Sequence, residues 1–332
     1  MNEKLDFVAI GDTVIDAFIH LNPEHAHTTR GPANTQMLCM QFGSKIPYDF
    51  VKVVPAVGNS ANAAVSAARL GLKSGLITSL GNDHSADECL EVFNNEGVST
   101  RFITKEDGKR TNHHYVLWYK DDRTILIKHE QFTYAMPDIG SPKWLYLSSL
   151  GEHSIPYHHE IAAYLESHPD IKLAFQPGTF QIELGTETLD ALYKRTEVFF
   201  CNTDEARLIL KTGEGDGGVL AKMMTTIGPK IAVITDGSKG AYVYDGADTW
   251  YMPTYPDPKP PYDRTGAGDA YASTFVAALA LGKTPSEAIE WAPINSMSVV
   301  QKIGAQEGLL KREELEQFLK DAPESYKVEK RS

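Results

Sequence analysis

Two glycines on either side of a small residue, followed by a carboxylate and a long apolar run, can hold an anion and move a proton beside it. The stretch is Asp263-Arg264-Thr265-Gly266-Ala267-Gly268-Asp269, running directly into Ala270 to Leu281. Gly266 and Gly268 permit unusual backbone angles and remove side chains, so that several N–H groups can converge on one point. The apolar run reads as a buried helix, and a helix N-terminus offers orphan donors and the positive end of its dipole to an anion. Asp269 lies at the rim of this hole. As a phosphate ligand it would repel its own ligand, but as the base that takes a proton from an attacking hydroxyl it is well placed. The plainer alternative is a glycine-rich helix start with Asp269 serving the dipole, and spacing alone leaves both open.

Other candidates lie just after strands, where ligands gather in open α/β sheets. Asn202 and Glu205 follow Val198-Phe199-Phe200 and open a helix. They form either a capping box or a water-mediated hold on Mg2+ beside nucleotide phosphates. Thr235-Asp236-Gly237-Ser238-Lys239-Gly240 follows another strand end, as a hairpin turn or as part of a nucleotide's seat. Asp16 ends an early strand, where a carboxylate can accept from two neighbouring sugar hydroxyls or simply face solvent. Gly58 and Asn62 begin the first helix, and Asn62 can bond the same ligand or its own backbone. The pairs His113-His114 and His158-His159 are rejected as metal sites; neighbours on a strand, as His113 and His114 are, point to opposite faces and cannot easily hold one ion. No GxxxxGK[ST] sequence occurs, which excludes a Walker-type phosphate loop.

The elements that must position these groups are legible in outline. The 332 residues are 42% hydrophobic and 23% charged, ordinary for a globular chain. A net charge of −12 disfavours a general nucleic-acid or anionic-membrane surface. Cys39, Cys89 and Cys201 are widely spaced without a CxxC pair, and read as buried reduced thiols. Met1 to Asp6 is polar and leads straight into a strand, and no apolar run approaches a membrane span, so a cytoplasmic protein is expected. Phe7 to Ile10 is a buried strand. Leu21 to Pro55 reads as strands of a separate small sheet, joined by Arg101 to Lys128, with hairpin turns at Asp107-Gly108 and Asp121-Asp122. Tyr115, Trp118 and Tyr119 read as that sheet's hydrophobic face. Asn59 to Leu70 is an alanine-rich helix closed by Gly71. From Lys143 strands and helices alternate, including helices over Pro156 to Ser167, Thr188 to Lys194 and Pro285 to Ile303. That alternation predicts a doubly wound, mainly parallel sheet.

Taken together, these motifs resemble the ribokinase-like (PfkB) carbohydrate and nucleoside kinases. Asp263 to Asp269 is similar to their C-terminal signature, and Val57-Gly58-Asn59-Ser60-Ala61-Asn62-Ala63 through Gly71 to their N-terminal one. Asn202-Thr-Asp-Glu205 resembles the magnesium-linked Asn-x-x-Glu motif, and Thr235 to Gly240 the nucleotide-side segment. The resemblance implies transfer of the γ-phosphoryl group of ATP, with Mg2+, to a hydroxymethyl group of a sugar or nucleoside. Asp269 would be the base and the backbone of Gly266, Ala267 and Gly268 the anion hole. Asp16, Gly58, Asn59 and Asn62 would meet the acceptor, and Thr235, Gly237, Gly240, Thr265 and Asn295 the nucleotide. Asn295 would line the adenine pocket, and Asp263 would serve a K+-like ion. Residues 1–14, 58–100 and 131–332 would form the large domain, with 15–57 and 101–130 a β lid that closes over substrate and excludes water.

The sequence departs from the family pattern in three places. Val57 stands where the lid hinge usually has a first glycine, Arg264 where Thr is usual, and the lid insertion is long. The insertion points to lid-mediated dimerisation or to a substrate of its own. A sugar kinase leads, with a nucleoside kinase of the adenosine type as runner-up. A catalytically silent sugar- or nucleotide-binding member is the third reading, against which Asp269, Gly266, Gly268, Asn202 and Glu205 all stand. A dinucleotide-binding dehydrogenase fails because no Gly-x-Gly-x-x-Gly follows the first strand.

Overall fold

The structure, a computed structural model, describes residues 4–32, 35–120 and 122–331. Met1 to Glu3 of the polar leader and Asp121 of the expected Asp121-Asp122 turn lie outside the described residues. The chain opens with β1 (Phe7–Ile10), β2 (Val14–Leu21), β3 (Ala26–Arg30), β4 (Gln36–Met40) and β5 (Tyr48–Val57). It continues through α1 (Asn59–Arg69), β6 (Ser74–Gly81), α2 (His84–Asn95), β7 (Ser99–Glu106), β8 (Asn112–Tyr119) and β9 (Asp122–Leu126). Then come β10 (Trp144–Leu147), α3 (Ile155–Ser167), β11 (Lys172–Phe175), α4 (Thr179–Thr188), α5 (Asp190–Arg195) and β12 (Thr196–Asn202). They lead to α6 (Thr203–Leu210), α7 (Gly217–Thr225), β13 (Ile231–Thr235), β14 (Ala241–Tyr244) and β15 (Thr249–Met252). Helices α8 (Ala267–Ala280), α9 (Pro285–Val299) and α10 (Arg312–Lys320) precede β16 (Glu329–Arg331).

Ten strands form the large sheet in the order β16-β15-β14-β13-β12-β11-β10-β1-β6-β7. The strands from β13 to β7 run parallel, and β14 to β16 add an antiparallel edge. Strands β1, β6 and β10 are buried along their full length, as expected where helices cover both faces of a parallel sheet. Helices α1, α2, α8 and α9 pack one face, and α3, α5, α6 and α7 the other. The winding direction changes between β10 and β1, the place where a doubly wound sheet leaves a crevice for ligands.

The second sheet has the order β5-β2-β8-β9, and β3 and β4 form a separate hairpin. The expected lid boundary at residue 101 is corrected here. Residues Ser99–Glu106 pair in parallel with β6 in the large sheet, so Arg101 to Thr104 belongs to the body. Asp107-Gly108 therefore joins two sheets instead of turning a hairpin. Alternation showed a strand but carried no information about its partner. Helix α4 had no counterpart in the sequence reading, because Gly185 breaks its periodicity with a non-helical φ of 80°. The helix expected from Thr188 starts at Asp190, and the one expected to reach Ile303 ends at Val299. Cys89 and Cys201 are buried as expected, whereas Cys39 is half-buried. No described helix is long and apolar enough to cross a membrane.

Candidate active site

Gly266 caps α8 with a φ of 78°, and a Cβ there would run into Ala305. Conformation and close approach both require glycine. No side chain caps this helix; its first N–H, that of Ala267, donates to the Arg264 carbonyl over 3.4 Å. Asp263 shapes the preceding turn. Its Oδ1 accepts from Thr265 N over 2.9 Å and from Thr265 Oγ1 over 2.7 Å, while its Oδ2 accepts from Gly304 N over 2.8 Å.

Asp269 does not cap the helix dipole with its side chain. It is buried, and its Oδ1 accepts from Asn59 Nδ2 over 2.9 Å and Gln176 Nε2 over 3.2 Å. Its Oδ2 accepts from Asn62 Nδ2 over 2.8 Å. Asn59 and Asn62 are three apart on α1 and so share a face. Both were expected at the acceptor, and in the structure both amides donate to the Asp269 carboxylate. Their amides are held in turn: Gln306 Nε2 donates to Asn62 Oδ1 over 3.0 Å and to Ala56 O over 2.7 Å. Tyr146 donates its hydroxyl to Gln176 Oε1. Burial pushes the Asp269 carboxyl above its ordinary value, the donors from Asn62, Gln176 and Asn59 draw it back, and the charge of Asp16 pushes it up further.

Asn202 and Glu205 form the reciprocal capping box that the local pattern allowed. Asn202 Oδ1 accepts from Glu205 N over 2.9 Å, and Glu205 Oε2 accepts from Asn202 N over 2.9 Å. Glu205 nonetheless senses the site, for its carboxyl is raised by burial and by the Asp269 charge. Among the described residues no group of three or more His, Cys, Asp or Glu could hold a metal ion by itself. A metal at Asn202 and Glu205 would therefore need oxygens from water and phosphate.

A cavity of about 280 Å³ joins Thr235, Gly237, Ser238 and Gly240 to Arg264, Ala267 and Gly268. The turn at Thr235 to Gly240 is also a true hairpin connection, for β13 and β14 pair antiparallel. Gly240 needs its φ of 91°, and a Cβ there would meet the Met252 carbonyl. Pro293, Met297 and Val300 of the α9 region give the cavity an apolar floor, and the buried hydroxyl of Tyr271 in its wall has no protein partner. An apolar slot with one unpaired polar group, opening on glycine N–H groups, suits a flat base with phosphates.

Asn295 is corrected. It is fully buried, with Nδ2 donating to Thr274 Oγ1 over 2.8 Å and Oδ1 accepting from Leu310 N over 2.9 Å. Helical spacing puts Pro293, Ser296, Met297 and Val300 on the cavity side, and Asn295 falls on the opposite face.

Asp16 is buried, not a surface carboxylate, and its Oδ1 lies 3.5 Å from His114 Nδ1. The two are parallel cross-strand neighbours of β2 and β8, which puts them on one face. Gly58 has a φ of 115°, and a Cβ there would meet the carbonyl of Asp12. The chain enters α1 through buried Val57 and through Ala56, whose φ of 64° is rare for alanine. Asp12, Gln176, His129, Tyr134 and Gln306 were missed. Gln176 directly follows β11 and Asp12 lies two residues past the end of β1, so weighing every strand end would have found both.

A search of family models matches residues 53–312 to "pfkB family carbohydrate kinase". The ribokinase of Bacillus subtilis is 28% identical over 79% of this chain and 87% of its own length. The cytidine kinase of Thermococcus kodakarensis is 29% identical over 74% of this chain and 88% of its own. Arabidopsis thaliana ribokinase, solved with ribose and ATP, superposes with a TM-score of 0.78 at 18% identity, covering 96% of this chain and 99% of that one. The two sheets, the uncapped glycine helix with Asp269 behind it and the family match agree: the chain belongs to the pfkB family of carbohydrate kinases, which transfer phosphate to an alcohol group.

Proposed function

We propose that this chain transfers the γ-phosphoryl group of ATP to a hydroxymethyl group of a small sugar, with Asp269 as general base. The observation that carries the reading is the placement of Asp269. It is a buried carboxylate in the first turn of a helix without a side-chain cap, fixed by Asn59, Asn62 and Gln176 and within reach of the charge of a second carboxylate, Asp16. Burial raises its proton affinity toward that of a working base, and the three amides hold its oxygens in place. The N–H groups from Gly266 to Gly268 and the helix dipole stabilise charge on the transferred group. Asp16 and Gly58 face the acceptor. Thr235, Gly237, Gly240 and Thr265 face the nucleotide.

Mg2+ bound with ATP supplies charge neutralisation on the phosphates, and Asn202 with Glu205 would hold it through water. In the same reading a monovalent cation lies beside the anion hole, next to the loop that Asp263 organises. A cytoplasmic setting accords with three unpaired cysteines.

The lid supports a homodimer. Its outer face presents Val53, Tyr115 and Leu126 in one cross-strand row, each about half exposed. An apolar sheet face of this kind is what a second copy would cover. The acceptor is tested by ADP release from ATP and Mg2+ across pentoses, hexoses and nucleosides. A sugar as best acceptor bears the proposal out, and a nucleoside as best acceptor replaces it with the runner-up.

A further inference from the structure

Two carboxylate–imidazole pairs stand together on the acceptor side of Asp269. Asp12, 5% exposed, follows β1, and its Oδ2 lies 3.0 Å from His129 Nδ1. Tyr134 donates its hydroxyl to Asp12 Oδ1 over 2.8 Å. Asp16 and His114 form the second pair at 3.5 Å, and the two imidazole rings are 5.2 Å apart. Asp16 in turn acts on Asp269 through its charge. His114 belongs to the lid, His129 to its return to the body and Asp12 to the body, so the Asp12–His129 contact bridges the body and the returning chain.

The chemistry of this wall is one-sided. An imidazole whose Nδ1–H is held by a carboxylate presents Nε2 as an acceptor. The Nε2 of His114 is buried and has no partner. Asp16 and Asp269 are acceptors as well. Three carboxyl groups, those of Asp12, Asp16 and Asp269, stand against two imidazoles, so these side chains offer an anion no excess of positive charge. The hydrogen-bond donors on Asp269 are neutral amides, and the ion-pair partners of Asp12 and Asp16 are imidazoles. A ligand for such a wall brings hydroxyl donors and no negative charge.

We infer that the Asp12–His129 and Asp16–His114 pairs read hydroxyls, admit neutral polyol acceptors and reject those bearing a carboxylate or phosphate, with His129 the specificity-determining contact. The inference rests on the kinase reading of the same site and narrows its acceptor class.

The test separates binding from turnover. Calorimetry in the presence of ATP and Mg2+ compares D-fructose, D-ribose and cytidine with D-fructose 6-phosphate and a 2-keto-3-deoxy aldonate. ADP release is read in parallel. At least one neutral compound is expected to bind a hundredfold or more tighter than either anion, whether or not turnover follows. An anion that binds better than every neutral compound, or no binding by any of them, overturns the inference. Neutral binding without ADP release leaves it standing and counts against the kinase reading alone. His129→Gln adds a second arm. A rise in KM for the neutral acceptor of tenfold or more with kcat nearly kept supports the contact, whereas a lower Tm with unchanged KM shows a merely structural histidine and overturns it.

Discussion

Asn62 Nδ2 donates to Asp269 Oδ2 over 2.8 Å, joining the first helix to a carboxylate 207 residues further along the chain. The bond favours the ionised carboxylate, so it holds down a proton affinity that burial has raised. Asn62→Ala is expected to raise the Asp269 value further. A base must be unprotonated to act, so the acid limb of the kcat profile should move to higher pH, and kcat near neutrality should fall about tenfold. A pH–rate series on both proteins checks this. An unmoved acid limb would separate Asp269 from the chemistry.

Gly266 is the position where a methyl group should do the greatest harm. Its left-handed φ costs an alanine about 1–2 kcal/mol, and contact with Ala305 adds to this. Gly266→Ala should lower kcat by a factor of about 100 or more, because the N–H groups no longer converge. Steady-state kinetics with a thermal melt on the same sample reads both effects.

The family resemblance placed Asn295 at the adenine, but the structure makes it a core link between Thr274 and Leu310. Asn295→Ala leaves Leu310 N and Thr274 Oγ1 buried without that partner, which costs about 1–3 kcal/mol. The expected result is a lower Tm with KM for ATP within about twofold of the parent. A large rise in KM with an unchanged Tm would restore the original expectation.

The same contrast shows what a single sequence can carry. The doubly wound sheet was legible because β1 and β10 are short unbroken apolar strands in a chain that alternates strands with helical patterns. The glycine turn was legible because φ near 78° and a close approach to Ala305 leave only one residue type. What was hidden depended on partners distant in sequence. Nothing near Arg101 to Thr104 says that this strand pairs with β6 and not with the lid. Asn59 and Asn62 were seen at the site, but not that their amides would turn toward Asp269. His129 lies outside any periodic element, and only the folded chain brings it to Asp12.

Tyr115 lies in the exposed apolar row of the lid, between Ala17 and Leu126 in register. Tyr115→Asp puts a charge at the centre of the proposed dimer face while leaving the inner face, with Asp16 and His114, unchanged. Sedimentation velocity should show the parent as a dimer and the variant as a monomer. A parent that is monomeric at micromolar concentration removes the dimer.

The central claim is that Asp269 takes the acceptor's proton. Asp269→Asn keeps the size and much of the hydrogen bonding and removes the base. The direct measurement is acceptor-dependent ADP release by this variant, with ATP binding followed by calorimetry on the same preparation. The account predicts a fall in kcat of about 100- to 10,000-fold with ATP affinity nearly kept. Turnover equal to the parent would contradict it and move the base elsewhere in the site.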